Sequence, residues 1–236
     1  VVEDDATNME VLTSLLRYDG HAVVQARSGK EATEVFRPDQ TDCILSDIRL
    51  PDMKGVQLVG ELSQIARKAD PGRKIPAIAV TANVMPEDLD DYAAAGFDGV
   101  VSKPLDERKL FGAMKAAIGA GPVQNLSGPA PANGRMARLR ELLGAEEYRK
   151  VRAAFRLTLE ECHAGLEQAM AQGDRDRIRF LAHRMAGSSG SIGIAELERL
   201  SRSVEDGLAR RSDIDGATLG RLLRCCERVL DEFDTI

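Results

Sequence analysis

Up to residue 118 the chain alternates short β-rich runs with amphipathic stretches, and beyond residue 134 the β-rich runs disappear. No other feature restricts the fold so strongly. Residues 21–25, 42–45, 77–80 and 99–102 read as strands, and Val1-Val2 reads as the remnant of a fifth. Residues 8–18, 30–36, 56–67, 87–95 and 107–118 read as helices. Met9, Leu12 and Leu16 share one face of the first of these at three- and four-residue spacing. Strands joined by helical crossovers pair in parallel, so the alternation predicts an α/β domain. That domain is a doubly wound five-stranded parallel sheet covered by helices.

Residues 119–134 carry Gly, Pro, Ala, Ser and Asn, with breakers at Gly121-Pro122, Gly128-Pro129-Ala130-Pro131 and Asn133-Gly134. They read as a flexible linker between residues 1–118 and residues 135–236. In the last segment, residues 135–143, 145–172, 175–188, 194–209 and 217–233 are helical in pattern. Leu219, Leu222, Leu223, Cys226, Leu230 and Phe233 form one apolar stripe, and Leu197, Leu200, Val204 and Leu208 form another. Such faces bury one another, which predicts an all-α antiparallel bundle.

Two domains of this size each bury a core within 236 residues. No apolar run is long enough to span a membrane. The net charge of −6 lies in the first 118 residues, which hold 14 Lys/Arg against 20 Asp/Glu. The rest is balanced at 18 of each. Neither part is a basic nucleic-acid footprint. The four cysteines lack metal-ligand or disulfide spacing, which suits a reducing cytoplasm. The opening Val1-Val2-Glu3-Asp4-Asp5 reads as a strand entered part-way, so a piece of a longer protein is expected.

The polar residues fall on the strand pattern in a telling way. Glu3 and Asp4, Asp47, Thr81 and Lys103 each follow a different strand at its carboxyl end, where open α/β sheets bind ligands. Converging carboxylates repel by roughly a few kcal/mol per pair at intermediate dielectric. A divalent cation removes that penalty, and Mg²⁺ suits a few carboxylates with phosphate oxygens. Lys103 and the hydroxyl of Thr81 then suit a phosphoryl group delivered to Asp47. Taken singly, each residue is an ordinary cap, strand residue or surface charge.

The first half resembles the receiver domain of two-component response regulators. The matching pieces are Val2-Glu3-Asp4-Asp5 with Asn8, Asp47 through Pro51 with Gly55, Val80-Thr81-Ala82, Ala95-Gly96-Phe97 and Ser102-Lys103-Pro104. The resemblance implies Asp47 as phosphoacceptor and Mg²⁺ held by Glu3, Asp4, Asp47 and the Arg49 carbonyl. It also implies Thr81 and Lys103 on the phosphoryl group, with a cis Lys103–Pro104 peptide. Val100 stands where that family often has an aromatic residue.

The second reactive candidate is His183. Ile178, Leu181, Ala182 and Met185 share one helical face, and His183 points about 140° from Ile178, towards solvent. Gly187, one turn on, costs helix stability; its missing side chain would give a partner clearance above the imidazole. A neutral imidazole nitrogen is a nucleophile for phosphorus. His21 and His163 lack such a setting. The segment resembles a histidine phosphotransfer (HPt) domain through Gly173-Asp174, Ala182-His183, Gly187-Ser188-Ser189, Ile192-Gly193 and Leu197. Ala186 replaces the lysine common before the glycine, with Arg184 or Arg179 as candidate substitutes.

These resemblances imply a phosphorelay. Asp47 accepts a phosphoryl group from a histidine-kinase phosphodonor and exchanges it with His183, which serves a downstream response regulator. They also imply the carboxyl-terminal part of a bacterial hybrid sensor histidine kinase, this part cytoplasmic and the parent of a kind that can be membrane-anchored. The chain carries no ATP-binding kinase motif, and neither nucleic acid nor direct membrane contact is expected of it. A free-standing receiver–HPt regulator and a binding scaffold without phosphoryl transfer stay as alternatives.

Overall fold

The structure is a computed structural model that describes residues 1–81, 86–119, 134–210 and 216–234. Ala82, Asn83 and most of the expected linker, residues 120–133, lie outside the described residues. The chain divides into two compact units, an α/β unit of residues 1–4 and 12–130 and a helical unit of residues 5–11 and 131–236.

α1 (Ala6–Tyr18) starts where Asp5 Oδ1 accepts the Asn8 N–H at 3.0 Å, an N-terminal cap, and only from Leu12 does it count with the α/β unit. Then follow α2 (Gly29–Val35), β1 (Ile44–Asp47), α3 (Gly55–Ala69), β2 (Ala77–Thr81), α4 (Pro86–Ala94), β3 (Gly99–Ser102) and α5 (Glu107–Ile118). The three strands are parallel in the order β1-β2-β3, with Asp47 opposite Val80 and Thr81 opposite Ser102. α3 packs on β1, and α5 packs on β2 and β3. The core gathers Ile44, Leu58, Leu62, Ala77, Ala79, Phe97 and Val100.

Among the described residues the five expected strands reduce to three strands and two single bridges at Val2. Val2 bridges Ser46 on one side and Ala26 on the other, both in parallel. Its N–H donates to Leu45 O at 2.8 Å, and its carbonyl accepts the Asp47 N–H at 2.9 Å. The spatial order of the five tracts is therefore the one a doubly wound sheet requires. Residues 21–25 are not a strand. That segment is the outermost, forms a β-bridge at Ala26 and one hydrogen bond from the Val1 ammonium to Val24 O at 2.8 Å, and leaves Val24 64% exposed.

The helical unit contains α6 (Arg135–Gln172), α7 (Arg175–Ile192), α8 (Ala195–Ala209) and α9 (Gly216–Asp234). α6 is broken inside at Gly144, which sits at φ 76°, ψ 171°. That is a conformation glycine reaches without a Cβ penalty, and it falls at the break expected between residues 143 and 145. α7 packs on α6 and α8, and α9 closes the ring against both of those. Val151, Phe155, Leu159, Leu181, Met185, Leu197, Val204, Leu222 and Cys226 fill the centre. Among the described residues no helix is long and apolar enough to cross a membrane.

Candidate functional site

The ladder register decides which side chains meet. β1, β2 and β3 run side by side and end at Asp47, Thr81 and Ser102, so Asp47, Thr81 and Lys103 emerge at one sheet edge. Val2 pairs with Ser46, which carries Glu3 and Asp4 to the same edge. Thr81 is buried there, and its carbonyl accepts the Lys103 N–H at 2.6 Å. The Lys103–Pro104 peptide is cis, as expected.

Lys103 Nζ lies 2.6 Å from Asp47 Oδ2 and 2.7 Å from Glu3 Oε2, with all three side chains buried. Burial alone would depress the lysine pKa, but the charges of Asp47 and then Glu3 override it and hold the ammonium above its ordinary value. Glu3, Asp4 and Asp47 each offer a carboxylate oxygen within 4.8 Å of the others. At that distance two ionised carboxylates repel by about 3 kcal/mol at an effective dielectric near 20. Three carboxylates against one ammonium leave two negative charges, the complement of one divalent cation. An all-oxygen donor set fits a hard ion such as Mg²⁺.

The loop after β1 holds Asp47 from the other side. The Arg49 N–H donates to Asp47 Oδ1 at 3.0 Å, Arg49 pairs with Lys54 across the loop, and the Gly55 N–H returns to Ile48 O at 2.8 Å. Gly55 stands so close that an added Cβ would lie 2.2 Å from the Asp47 carbonyl oxygen. This supplies a physical reason for that glycine which spacing alone did not.

On α7, Ile178, Leu181, Ala182 and Met185 are buried as the helical wheel predicts. His183 is less free than expected, with its side chain 20% exposed and Nδ1 2.8 Å from Glu205 Oε1 on α8. A carboxylate there can only accept, and in the neutral tautomer that donates to it from Nδ1 the lone pair lies on Nε2. Gly187 is buried and does not stand open to solvent. Arg184 leans on Glu161 at 3.5 Å, whereas Arg179 is exposed. Sequence reasoning missed Glu205: it lies 22 residues downstream of His183 and only helix packing brings the two together. His163 sits 3.4 Å from Glu227 and 3.7 Å from Glu167, and His21 3.2 Å from Asp19, in ordinary charged surroundings.

The family profile for the response regulator receiver domain matches residues 1–115, and that for the Hpt domain matches residues 150–232. The polar-differentiation response regulator DivK of Brucella anthropi is 32% identical over 119 residues, covering 50% of this chain and 94% of DivK. The chain belongs to the response regulator receiver family and carries an Hpt domain. Receiver and Hpt domains together also match larger proteins. The aerobic respiration control sensor protein ArcB of Escherichia coli K12 is 29% identical over 214 residues, or 87% of this chain and 27% of ArcB. Sensor histidine kinase AruS of Pseudomonas aeruginosa is 33% identical over 233 residues, or 95% of this chain and 22% of AruS. The chain thus spans about a quarter of the length of these two relatives. A receiver followed by an Hpt domain is a two-component phosphorelay arrangement, and its partners belong to that phosphotransfer class.

Proposed function

We propose that Asp47 of the receiver takes a phosphoryl group from a phosphohistidine of a histidine kinase and exchanges it with His183 of the Hpt domain. His183 then serves the receiver aspartate of a downstream response regulator. The observation that carries this reading is the buried edge where Lys103 and the Glu3, Asp4 and Asp47 carboxylates converge. The domains are taken as residues 1–118 and 135–236, joined by a flexible linker over residues 119–134. By likeness to ArcB and AruS, the parent protein is a sensor histidine kinase of hybrid organisation with this pair at its carboxyl end.

In the first transfer a carboxylate oxygen of Asp47 attacks phosphorus, an O–P bond forms, and the donor's N–P bond breaks with its electrons returning to the imidazole. Glu3, Asp4, Asp47 and the Arg49 carbonyl are the groups that would hold Mg²⁺. When bound, the ion neutralises charge on the phosphoryl oxygens. Lys103 passes from its carboxylate partners towards those oxygens, and Thr81 donates its hydroxyl to them. In the second transfer Nε2 of His183 attacks the aspartyl phosphate, an N–P bond forms, and the O–P bond to Asp47 breaks. Nδ1 keeps its proton, and the Glu205 carboxylate balances the positive charge that develops on the ring. Gly187 presents no side chain on the turn that follows.

The test is single-turnover transfer from a phosphorylated histidine-kinase domain in Mg²⁺, with the two domains separated afterwards by proteolysis. Wild type should carry label on both domains, Asp47→Asn on neither, and His183→Gln on the receiver alone. Acid-labile phosphate on the receiver of Asp47→Asn would remove Asp47 as acceptor.

A further inference from the structure

The loop that follows Asp47 is anchored at its far end by a carboxylate that the transfer chemistry leaves unused. Asp52 Oδ1 accepts the Gly29 N–H at 2.9 Å, and Asp52 Oδ2 accepts the Lys30 N–H at 2.8 Å. These are the first two residues of α2, and the third, Glu31, donates its N–H to Ser28 Oγ at 3.1 Å. All three first-turn donors of that helix are therefore satisfied, two of them by a side chain from another loop. The two backbone donors, Lys30 first and then Gly29, hold the Asp52 carboxyl below the usual carboxylate range. Met53 closes the contact: a Cβ on Gly29 would lie 2.4 Å from the Met53 sulfur.

The loop itself is short and internally tied. Its base is the Arg49–Lys54 pair, its turn is closed by the Leu50 N–H to Met53 O bond at 3.2 Å, and its tip is Asp52-Met53. A displacement of the tip is transmitted to the base, because the Leu50–Met53 bond ties the residue next to Asp52 to the residue next to Arg49. The base carries the Arg49 N–H that orients Asp47 and the Arg49 carbonyl assigned to the metal.

We infer that Asp52 is a positioning residue of the acid site: by clamping the loop tip to the first turn of α2, it holds Arg49 and Asp47 in the geometry that binds the divalent cation. The inference rests on the reading of Glu3, Asp4, Asp47 and Arg49 as a Mg²⁺ site. Supporting groups of this kind typically contribute about 10–100-fold to metal affinity. A residue serving only as a helix cap would lower stability without selectively lowering affinity for the ion.

The experiment measures Mg²⁺ binding to the full 236-residue chain by calorimetric titration. The proteins are wild type, Asp52→Asn, Asp52→Ala and the exposed charge control Glu61→Gln. Each is also melted in EDTA. The expected result is a Mg²⁺ Kd raised about tenfold in Asp52→Ala and raised less in Asp52→Asn, whose amide oxygen still accepts one N–H. Glu61→Gln should match wild type. Asp52→Asn, the milder change, should keep the EDTA melting temperature close to wild type, so that a weakened Kd there reports positioning and not unfolding. An unchanged Kd in both Asp52 variants, with wild type binding normally, overturns the inference and leaves the site reading intact. Wild type that binds no Mg²⁺ overturns the site reading and the inference with it.

Discussion

Lys103 and His183 show how a close carboxylate partner sets what a side chain can do. Lys103 is held above its ordinary pKa by Asp47 and Glu3 against the opposing effect of burial. A base whose folded pKa is raised stabilises the fold fully below its unfolded value, about 10.4 for lysine, and loses that contribution only as pH climbs through the higher folded value. The Lys103 pairs therefore persist across the neutral range, and the ammonium stays charged there, as the proposed transfer requires. Asp52 has the opposite sign: its lowered pKa gives a contribution present above the ordinary carboxylate value and lost as pH falls through the folded one. For His183 the controlling group is Glu205, at 2.8 Å. Removing a charge-assisted hydrogen bond of this kind costs about 1.5–3 kcal/mol, or about 10–100-fold in a rate it supports. Glu205→Ala should slow single-turnover transfer onto His183 by about that factor, and Glu205→Gln should slow it less because the amide oxygen still accepts from Nδ1. Equal rates in all three proteins would mean that the imidazole is oriented without Glu205.

Strands and helices place these groups, and how far each was legible in the sequence depended on how local its cause was. β3 and α5 fall on the residues expected, because a buried parallel strand and a capped helix carry their signals within their own span. α5 is capped by Asp106, whose carboxylate accepts the Arg108 and Lys109 N–H groups. Residues 21–25 had the composition of a strand, but pairing is decided by the neighbour, and Val2 meets that tract only at Ala26. The acid edge was legible because strand ends follow from strand positions; Glu205 and Asp52 were not, because each acts on a distant element through packing. α3 shows the same dependence on a neighbour. Its first residue, Gly55, lies so near Asp47 that a methyl group there would sit 2.2 Å from a backbone oxygen, which has no side-chain freedom to retreat. Gly55→Ala should destabilise the receiver by about 1–3 kcal/mol, the usual range for overpacking, and should weaken phosphoryl acceptance at Asp47 as β1 shifts. Chemical denaturation and transfer assays on the same protein check both, and wild-type values in each would show that the loop yields easily.

At the scale of the molecule, the proposed metal site, drawn wholly from the first half of the chain, makes a thermodynamic prediction about both halves. Glu3, Asp4, Asp47 and Arg49 all lie before residue 50, whereas Phe155, Leu159, Leu181 and Met185 are core residues of the helical unit. A ligand that binds the folded state alone stabilises by RT ln(1 + [L]/Kd), about 2.7 kcal/mol at one hundred times Kd. Mg²⁺ at that excess should raise the melting transition of the receiver, and EDTA should return it. The transition of the Hpt domain should stay in place. Asp47→Asn should reduce the shift, since it removes one of the three carboxylate ligands; His183→Gln should leave it whole. Differential scanning calorimetry with and without Mg²⁺ reads all of this in one series. A shift shared equally by both halves would mean that they unfold as one cooperative unit, and Mg²⁺ occupancy would then bear on His183 as well. No shift at saturating Mg²⁺ would leave the Glu3, Asp4 and Asp47 repulsion to be balanced by Lys103 alone, and the proposed metal role would fall.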